Sequence, residues 1–267
     1  MSTVLARALG MMELLSGVPG GMPLGEIADR LKIPASAAHR LANELIELGY
    51  FRRSSDVGDY ALSMKMTSLA LTYLSEIDLV EQAKPSVDRI ARGSKALARL
   101  GIVDDKRLIW VLKSQGSTSN IRYDPPMHHE VQLSCSASGH AWLSLLSDEK
   151  ALELVFRQGL KFEGFGPNAP RTVEEVLELI RTARDNGYAR VTDSYEDGVS
   201  AIAVPIVNPR LRQATGVLSV AGLTMQMTDE KIHDILPLLQ EEAGSLSEAR
   251  LDYAKYLLPT NRERIVS

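Results

Sequence analysis

Ser36, His39, Arg40 and Asn43, followed closely by Arg52 and Arg53, are side chains of the kind that read nucleic acid. An arginine bonds guanine through two parallel N–H groups, and an asparagine can pair with adenine. A serine at a helix start can bond a phosphate, and adjacent arginines on a strand can reach backbone phosphates. Two further groupings invite chemistry. Cys135 and His140 have the types of a thiol–imidazole pair, but they are separated across a loop-to-helix junction with no third group to orient the histidine. A lone cysteine there reads as a small buried hydrophobe. His128 and His129 are metal-binding types, yet neighbours in an extended segment point to opposite faces and no carboxylate lies at ligand spacing. The sequence therefore predicts no catalytic set, no metal site and no cofactor.

The elements that must hold these residues follow from hydrophobic spacing. Val4, Leu5, Ala8, Leu9, Met12 and Leu15 recur on one helix face, so a first helix is expected over residues 3–16, ended by Gly17 and the Pro19-Gly20-Gly21 turn. Pro23 opens a short second helix with Leu24, Ile27, Ala28 and Leu31 inward, and Lys32-Ile33-Pro34 breaks it. A third helix buries Ala38, Leu41, Ala42, Leu45 and Leu48 and stops at Gly49. Its outward positions near the start are Ser36, Ala37, His39, Arg40 and Asn43. Residues 50–53 and 60–64 then read as a hairpin around the turn 54–59. Three short helices and a hairpin make a winged helix-turn-helix, whose third helix enters the major groove.

Residues 65–93 return to helical spacing and are expected to form a helical linker, with Asp78 as a cap and Pro85 as a kink. Beyond them the texture turns strand-like over 97–103 and 108–113. Helices follow at 137–146, 148–158 and 172–186, then strands at 187–192, 199–207 and 214–223, and Thr228 opens a long terminal helix. Adjacent strands joined as hairpins favour an α+β domain with an antiparallel sheet. The expected division is 1–64 for DNA binding, 65–93 for the linker and 94–267 for a larger C-terminal domain.

Bulk composition narrows the classes. The 267 residues are 45% hydrophobic and 24% charged, an ordinary globular balance with room for two cores. The net charge of -4 argues against a protein that coats DNA, so any basic footprint is local. Residues 1–62 hold six basic groups (Arg7, Arg30, Lys32, Arg40, Arg52, Arg53) against seven acidic ones (Glu13, Glu26, Asp29, Glu44, Glu47, Asp56, Asp59). One cysteine excludes an intrachain disulfide framework. With no leader pattern and no apolar run of spanning length, a cytoplasmic protein without membrane contact is expected.

Several motifs in chain order resemble those of the isocitrate lyase regulator (IclR) family of bacterial transcription factors. They are Arg7-Ala8-Leu9, Gly25 to Leu31, Pro34 to Leu41, Gly49-Tyr50, Leu133 to Leu143, Gly187-Tyr188-Ala189 through Glu196-Asp197-Gly198-Val199 to Pro205, and Leu218 to Gly222. In the first of these stretches after the wing, Leu133 to Leu143, only Leu133 and Gly139 keep the family's commonest residues. The resemblance implies a GAF-like effector-binding domain, a double-stranded DNA operator as partner, a homodimer formed through the DNA-binding domains and linker, and often a tetramer.

It also implies an effector lying against Ser136, Ala137 and Ser138, the segment containing Val191, Asp193 and Ala201, and the strand bearing Ser219. Val191, Ala201 and Ala221 stand where several members have an acid, a cysteine and a serine. That more apolar wall suits an organic acid, aromatic or lactone-like ligand larger than a two-carbon acid. The amide groups at the helix start after Ser136 are anion-friendly. The function implied is a ligand-responsive regulator, a repressor of a catabolic operon. The rivals are a GAF-like enzyme fused to a DNA-binding module, which lacks a convergent acid, base or nucleophile set, and a purely architectural DNA binder, which the acidic balance disfavours.

Overall fold

The computed structural model describes residues 3–54, 58–76, 78–127, 130–160, 163–210 and 212–248. His128 and His129 lie outside the described residues. The chain divides into two compact units after Glu76.

In the first unit, α1 (Val4–Ser16) is capped by Thr3, whose hydroxyl accepts from the Ala6 N–H at 3.2 Å. Next come α2 (Leu24–Leu31), α3 (Ala35–Glu47), the two-stranded wing of β1 (Phe51–Arg53) and β2 (Tyr60–Leu62), and α4 (Met64–Glu76). Lys32 turns left-handed at φ 52° to end α2 before Pro34. The apolar stripes converge on a core of Met11, Leu15, Ile27, Leu41, Leu45, Phe51 and Tyr60. Met22 and Tyr60 exchange two backbone hydrogen bonds of 3.0 Å, which tie the turn between α1 and α2 to the wing. Gly21 is required there: its φ is 93°, and a Cβ would come within 3.0 Å of the Tyr60 carbonyl oxygen. The second wing strand stops at Leu62 and not at 64. The Ser63 hydroxyl accepts from the Lys65 N–H at 3.1 Å and donates to the Gly49 carbonyl, so the chain turns directly into α4.

The second unit contains α5 (Leu79–Ser94), β3 (Leu97–Asp104), β4 (Arg107–Gln115), α6 (Ala137–Leu143), α7 (Asp148–Gln158), α8 (Val173–Asn186), β5 (Ala189–Thr192), β6 (Val199–Asn208), β7 (Gln213–Leu223) and α9 (Asp229–Glu248). Its antiparallel sheet runs β4-β3-β7-β6-β5. Side chains alternate across the strands, so each face needs its own cover. Ala98, Leu100, Ile102, Ile202, Val204, Leu218 and Val220 pack with Val87 and Ile90 of α5 and with Ile235 and Leu239 of α9. The opposite face, with Val191, Ala203 and Val217, packs with residues of α6, α7 and α8. Hydroxyl caps begin α7 and α8: Ser147 accepts from the Lys150 N–H, and Thr172 from the Glu175 N–H.

The segment expected as one linker is two helices with different fates. No residue of α4 is buried, whereas α5 buries Leu79, Ala83, Val87 and Ile90 in the second unit's core. Asp78 stands at the α5 start with φ 53°, but its carboxylate accepts from the Gln82 side chain at 3.1 Å and from no backbone amide.

The link between α5 and α9 also carries charge. Arg89 donates through Nε and Nη2 to the two oxygens of Glu242, at 2.5 and 2.7 Å, and Glu242 is 4% exposed. The guanidinium holds the Glu242 carboxyl below its ordinary range. Arg89→Ala leaves that carboxylate buried without its partner. Because Arg89 itself is half exposed, the expected loss is roughly 2 kcal/mol, less than for a fully buried pair. A lowered folded-state carboxyl contributes stability that is complete above the ordinary carboxylate range and fades on acidification. Urea unfolding followed by the fluorescence of Trp110 and Trp142 should show a wild-type advantage near pH 7 that shrinks at about pH 4; an equal gap at both would contradict this account.

Candidate functional site

The outward face of α3 presents Ser36, His39, Arg40 and Asn43, all exposed, because Ala38, Leu41, Ala42 and Leu45 take the inward positions. Pro34 precedes the helix without a side-chain cap; the Ala37 and Ala38 amides donate to the Pro34 carbonyl at 2.9 and 3.0 Å, which leaves the Ala35 and Ser36 amides to face an anion. Asn43 Nδ2 lies 3.4 Å from His39 Nδ1, one helical turn back, and the two form a single polar unit. On the wing, Arg52 and Arg53 are both exposed. Arg53 folds back on the hairpin: its Nε donates to the Gly58 carbonyl at 3.3 Å, and its guanidinium sits 5.2 Å from the Tyr60 ring centroid. Arg30 is tied to Glu26 at 2.5 Å. Lys65, which the sequence reading did not single out, donates to the Leu48 carbonyl at 2.7 Å and so finishes the end of α3.

A separate site lies on the α6 side of the large sheet, where a cavity of about 250 Å³ opens. Ser136, Ala137, Ser138, Val191 and Ala201 all line it; Asp193 and Ser219 do not. Asp193 adopts φ 49° in the connection from β5 to β6, where its carboxylate accepts from the Thr224 hydroxyl at 2.6 Å and its N–H donates to the Val199 carbonyl at 2.9 Å. It therefore shapes the turn. Ser219 pairs with Arg99 across β3 and β7, and its buried hydroxyl has no hydrogen-bond partner among the described residues.

The wall at α6 is built by close backbone approach. A Cβ on Gly139 would lie 2.5 Å from the Leu133 carbonyl oxygen, so only glycine lets the loop and helix pass, which gives a physical reason for Gly139. The Ser136 hydroxyl donates to the Gln132 carbonyl and accepts from the Gly139 N–H, at 2.5 and 3.0 Å. One of the amides expected to favour an anion is thereby already occupied.

Cavity residues that the sequence reading did not name include Arg99, Trp110, Tyr123 and, within the expected segment from Val191 to Ala201, Tyr195. Arg99 was detectable as the single charge inside the apolar run of β3; the two tyrosines lie in segments without periodicity. Burial pushes the Tyr123 phenol up to about 12 and also raises Tyr195, so both are neutral hydrogen-bonding groups near neutral pH. Glu196 lines the cavity as well.

Cys135 and His140 are both buried away from any charge that would activate them. Burial pushes the thiol up to about 12 and the imidazole down to about 4. The neutral His140 donates from Nε2 to the Ser134 carbonyl at 2.8 Å. Neither the thiolate nor an imidazolium is accessible at neutral pH. Among the described residues no cluster of three or more histidine, cysteine, aspartate or glutamate side chains could hold a metal ion, and no helix is long and apolar enough to cross a membrane.

Comparison with known proteins joins these two sites. The family model described as "Bacterial transcriptional regulator IclR C-terminal" matches residues 71–248, and "IclR helix-turn-helix domain" matches residues 4–55. The chain belongs to the IclR family. It is a DNA-binding transcriptional regulator with a helix-turn-helix unit and an α+β C-terminal unit, and the curated IclR-family proteins it matches are regulators and not enzymes. It is 24% identical over 243 residues to the HTH-type transcriptional regulator XynR of Escherichia coli, covering 91% of this chain and 95% of XynR. It is 24% identical over 250 residues to the acetate operon repressor of Salmonella typhimurium, covering 92% and 89%. Among solved IclR structures, one from Alicyclobacillus acidocaldarius superposes with a TM-score of 0.79 at 24% identity, covering 93% of this chain and 98% of that one. A second, an IclR homolog from Microbacterium hydrocarbonoxydans complexed with 4-hydroxybenzoate, gives 0.75 at 21% identity, covering 92% and 98%.

Proposed function

We propose that this IclR-family chain is a ligand-responsive repressor of a catabolic operon, released when a small organic effector occupies the cavity beside α6. The observation that carries the reading is the cavity itself, enclosed within the C-terminal unit of a DNA-binding regulator. Its volume of about 250 Å³ falls just below the roughly 300 to 1,000 Å³ typical of drug-sized ligands and suits a one-ring compound. The repressing member from Salmonella and the 4-hydroxybenzoate-bound member from Microbacterium support the sign and the ligand class by analogy. Ser136, Ala137, Ser138, Val191 and Ala201 form the ligand wall, with Asp193 and Ser219 supporting it from the turn and the floor strand. The site of action is the cytoplasm.

Residues 1–64 are the DNA-binding domain, 94–267 the effector-binding domain, and the helices of 65–93 join them. Arg40 reads a base edge, Asn43 with His39 a second, and Ser36, Arg52 and Arg53 hold phosphates. Effector binding acts as a population shift: the ligand favours one arrangement of the dimer, and that preference reaches the operator through the joining helices.

The first unit's surface supports a homodimer. Val4, Leu5, Leu9, Leu48 and Leu69 are about half exposed or more, and with Met66 they line one apolar groove. A second copy offering the same face would cover it.

Arg40→Ala should weaken specific operator binding by roughly 1 to 3 kcal/mol and relax base preference at one position per half-site, with the melting temperature unchanged; operator titration against single-base variants reads both. Leu69→Glu should shift the protein toward monomer in analytical ultracentrifugation and weaken operator binding with it, since half-sites are bound in pairs; a dimer of undiminished stability would place the contact elsewhere. Ala201→Leu should fill the cavity at a cost of roughly 1 to 3 kcal/mol in stability and abolish the ligand response, while operator affinity without ligand stays near wild type. If Ala201→Leu keeps a full response, the effector does not bind in this cavity.

A further inference from the structure

We infer that Arg99 is the anion-binding residue of the cavity, and that the effector is a one-ring carboxylate whose acid group pairs with the Arg99 guanidinium while its ring lies against the apolar wall. The inference rests on the reading of the cavity as the effector site and adds the chemistry of what it takes.

The strand register puts the charge there. Ala98 and Leu100 pack in the core against α5 and α9, so the intervening Arg99 must emerge on the opposite face, where it lines the cavity. Its Nε is shut off from solvent and has no hydrogen-bond partner among the described residues. It takes part in no ion pair among them either. Burial lowers the guanidinium, and the groups that oppose this are the phenols of Tyr123 and Tyr195, which are uncharged near neutral pH. A guanidinium held in that way remains charged, and a charge withdrawn from water without a counter-ion is costly to keep.

The two acids that line the cavity, Glu196 and Glu130, form no ion pair with Arg99 among the described residues, and Glu130 accepts from the Gln158 side chain at 3.3 Å. The guanidinium carbon lies 4.1 Å from the Trp110 ring centroid, and this stacking fixes its plane without using its hydrogen-bond donors. The Ser219 hydroxyl, directly across β7 on the same face, is a second buried group without a partner. The side chain is thus held in place and its donors are unspent, and what it lacks is a planar anion. The rest of the lining, including Pro125, Val131, Val199 and Ala221, offers apolar surface for a ring. At the start of the short helix α6, the Ser136 hydroxyl already takes one amide, that of Gly139.

The test uses the intact protein with matched probes: benzoate, 4-hydroxybenzoate and 3,4-dihydroxybenzoate, each beside its neutral carboxamide. Binding is read by calorimetry and by the fluorescence of Trp110, and melting curves check folding. The expected result is that at least one acid binds wild type at least about tenfold more tightly than its amide, and that Arg99→Gln loses about a hundredfold in affinity for that acid while binding the amide as before. Arg99→Lys should recover part of the loss, because a point charge replaces the bidentate fork. Arg99→Gln should melt at or above the wild-type temperature, since it removes an uncompensated charge. The inference is overturned if Arg99→Gln binds the acid within about threefold of wild type, if amides bind as tightly as acids, or if no acid binds. Ala201→Leu separates the two levels. Should it abolish binding while Arg99→Gln does not, the cavity reading stands and the charge assignment falls; should it leave binding intact, both fall.

Discussion

The alternation of side chains along β3, β6 and β7 is the constraint on which the second unit depends. A strand in the middle of a sheet must satisfy both faces at once, and here the two faces are satisfied differently. Toward α5 and α9 the strands present branched aliphatic residues that close into a continuous core. Toward α6, the same strands present Ala201, Ala203, Ser219 and Ala221, too small to fill the space beneath the helices. The cavity is what remains when small residues replace large ones on one side of a sheet whose other side is fully packed. Its shape is therefore as rigid as the sheet that floors it.

The first unit works by the opposite economy, with a core just large enough to orient one helix. Met11, Leu15, Ile27, Leu41 and Phe51 set the inward face of α3, and everything that can meet DNA is left on the other side. The bridge between Met22 and Tyr60 and the Lys65 bond to the Leu48 carbonyl fasten the two ends of this arrangement. The setting of α3 thus rests on hydrogen bonds to the backbone as well as on apolar packing, and it does not depend on the charges along its exposed face.

Much of this was legible in the sequence, for identifiable reasons. The face of α3 followed from its apolar spacing, and the ranges expected for α7 and α8 agree with the structure to within a residue because their ends, at Ser147, Thr172 and Gly187, are set locally. What failed to appear was whatever depends on covering partners. The spacing of residues 79–90 showed that a buried face exists but not that the sheet of the second unit covers it. Asp193 carried a ligand-like type in a ligand-like stretch, yet a left-handed backbone turned its carboxylate to Thr224. Arg99 lay unremarked in a strand-like run, and only the pairing of β3 with β7 shows that its face is the hollow one. Ser219 lies on that face too, but closed over.

The balance of charge in the first unit bears on how the protein is distributed inside a cell. Acidic groups match the basic ones there, Arg30 is spent on Glu26, and Arg53 is drawn back onto the wing. Bulk chromosomal DNA holds most regulators by phosphate attraction alone, and a genome offers millions of such resting places. A regulator with so little to offer them stays in the free pool. On the function proposed above, few molecules would be lost to random sites, a small number of copies would suffice to keep an operator occupied, and the population released by an effector would return to solution without lingering along the chromosome.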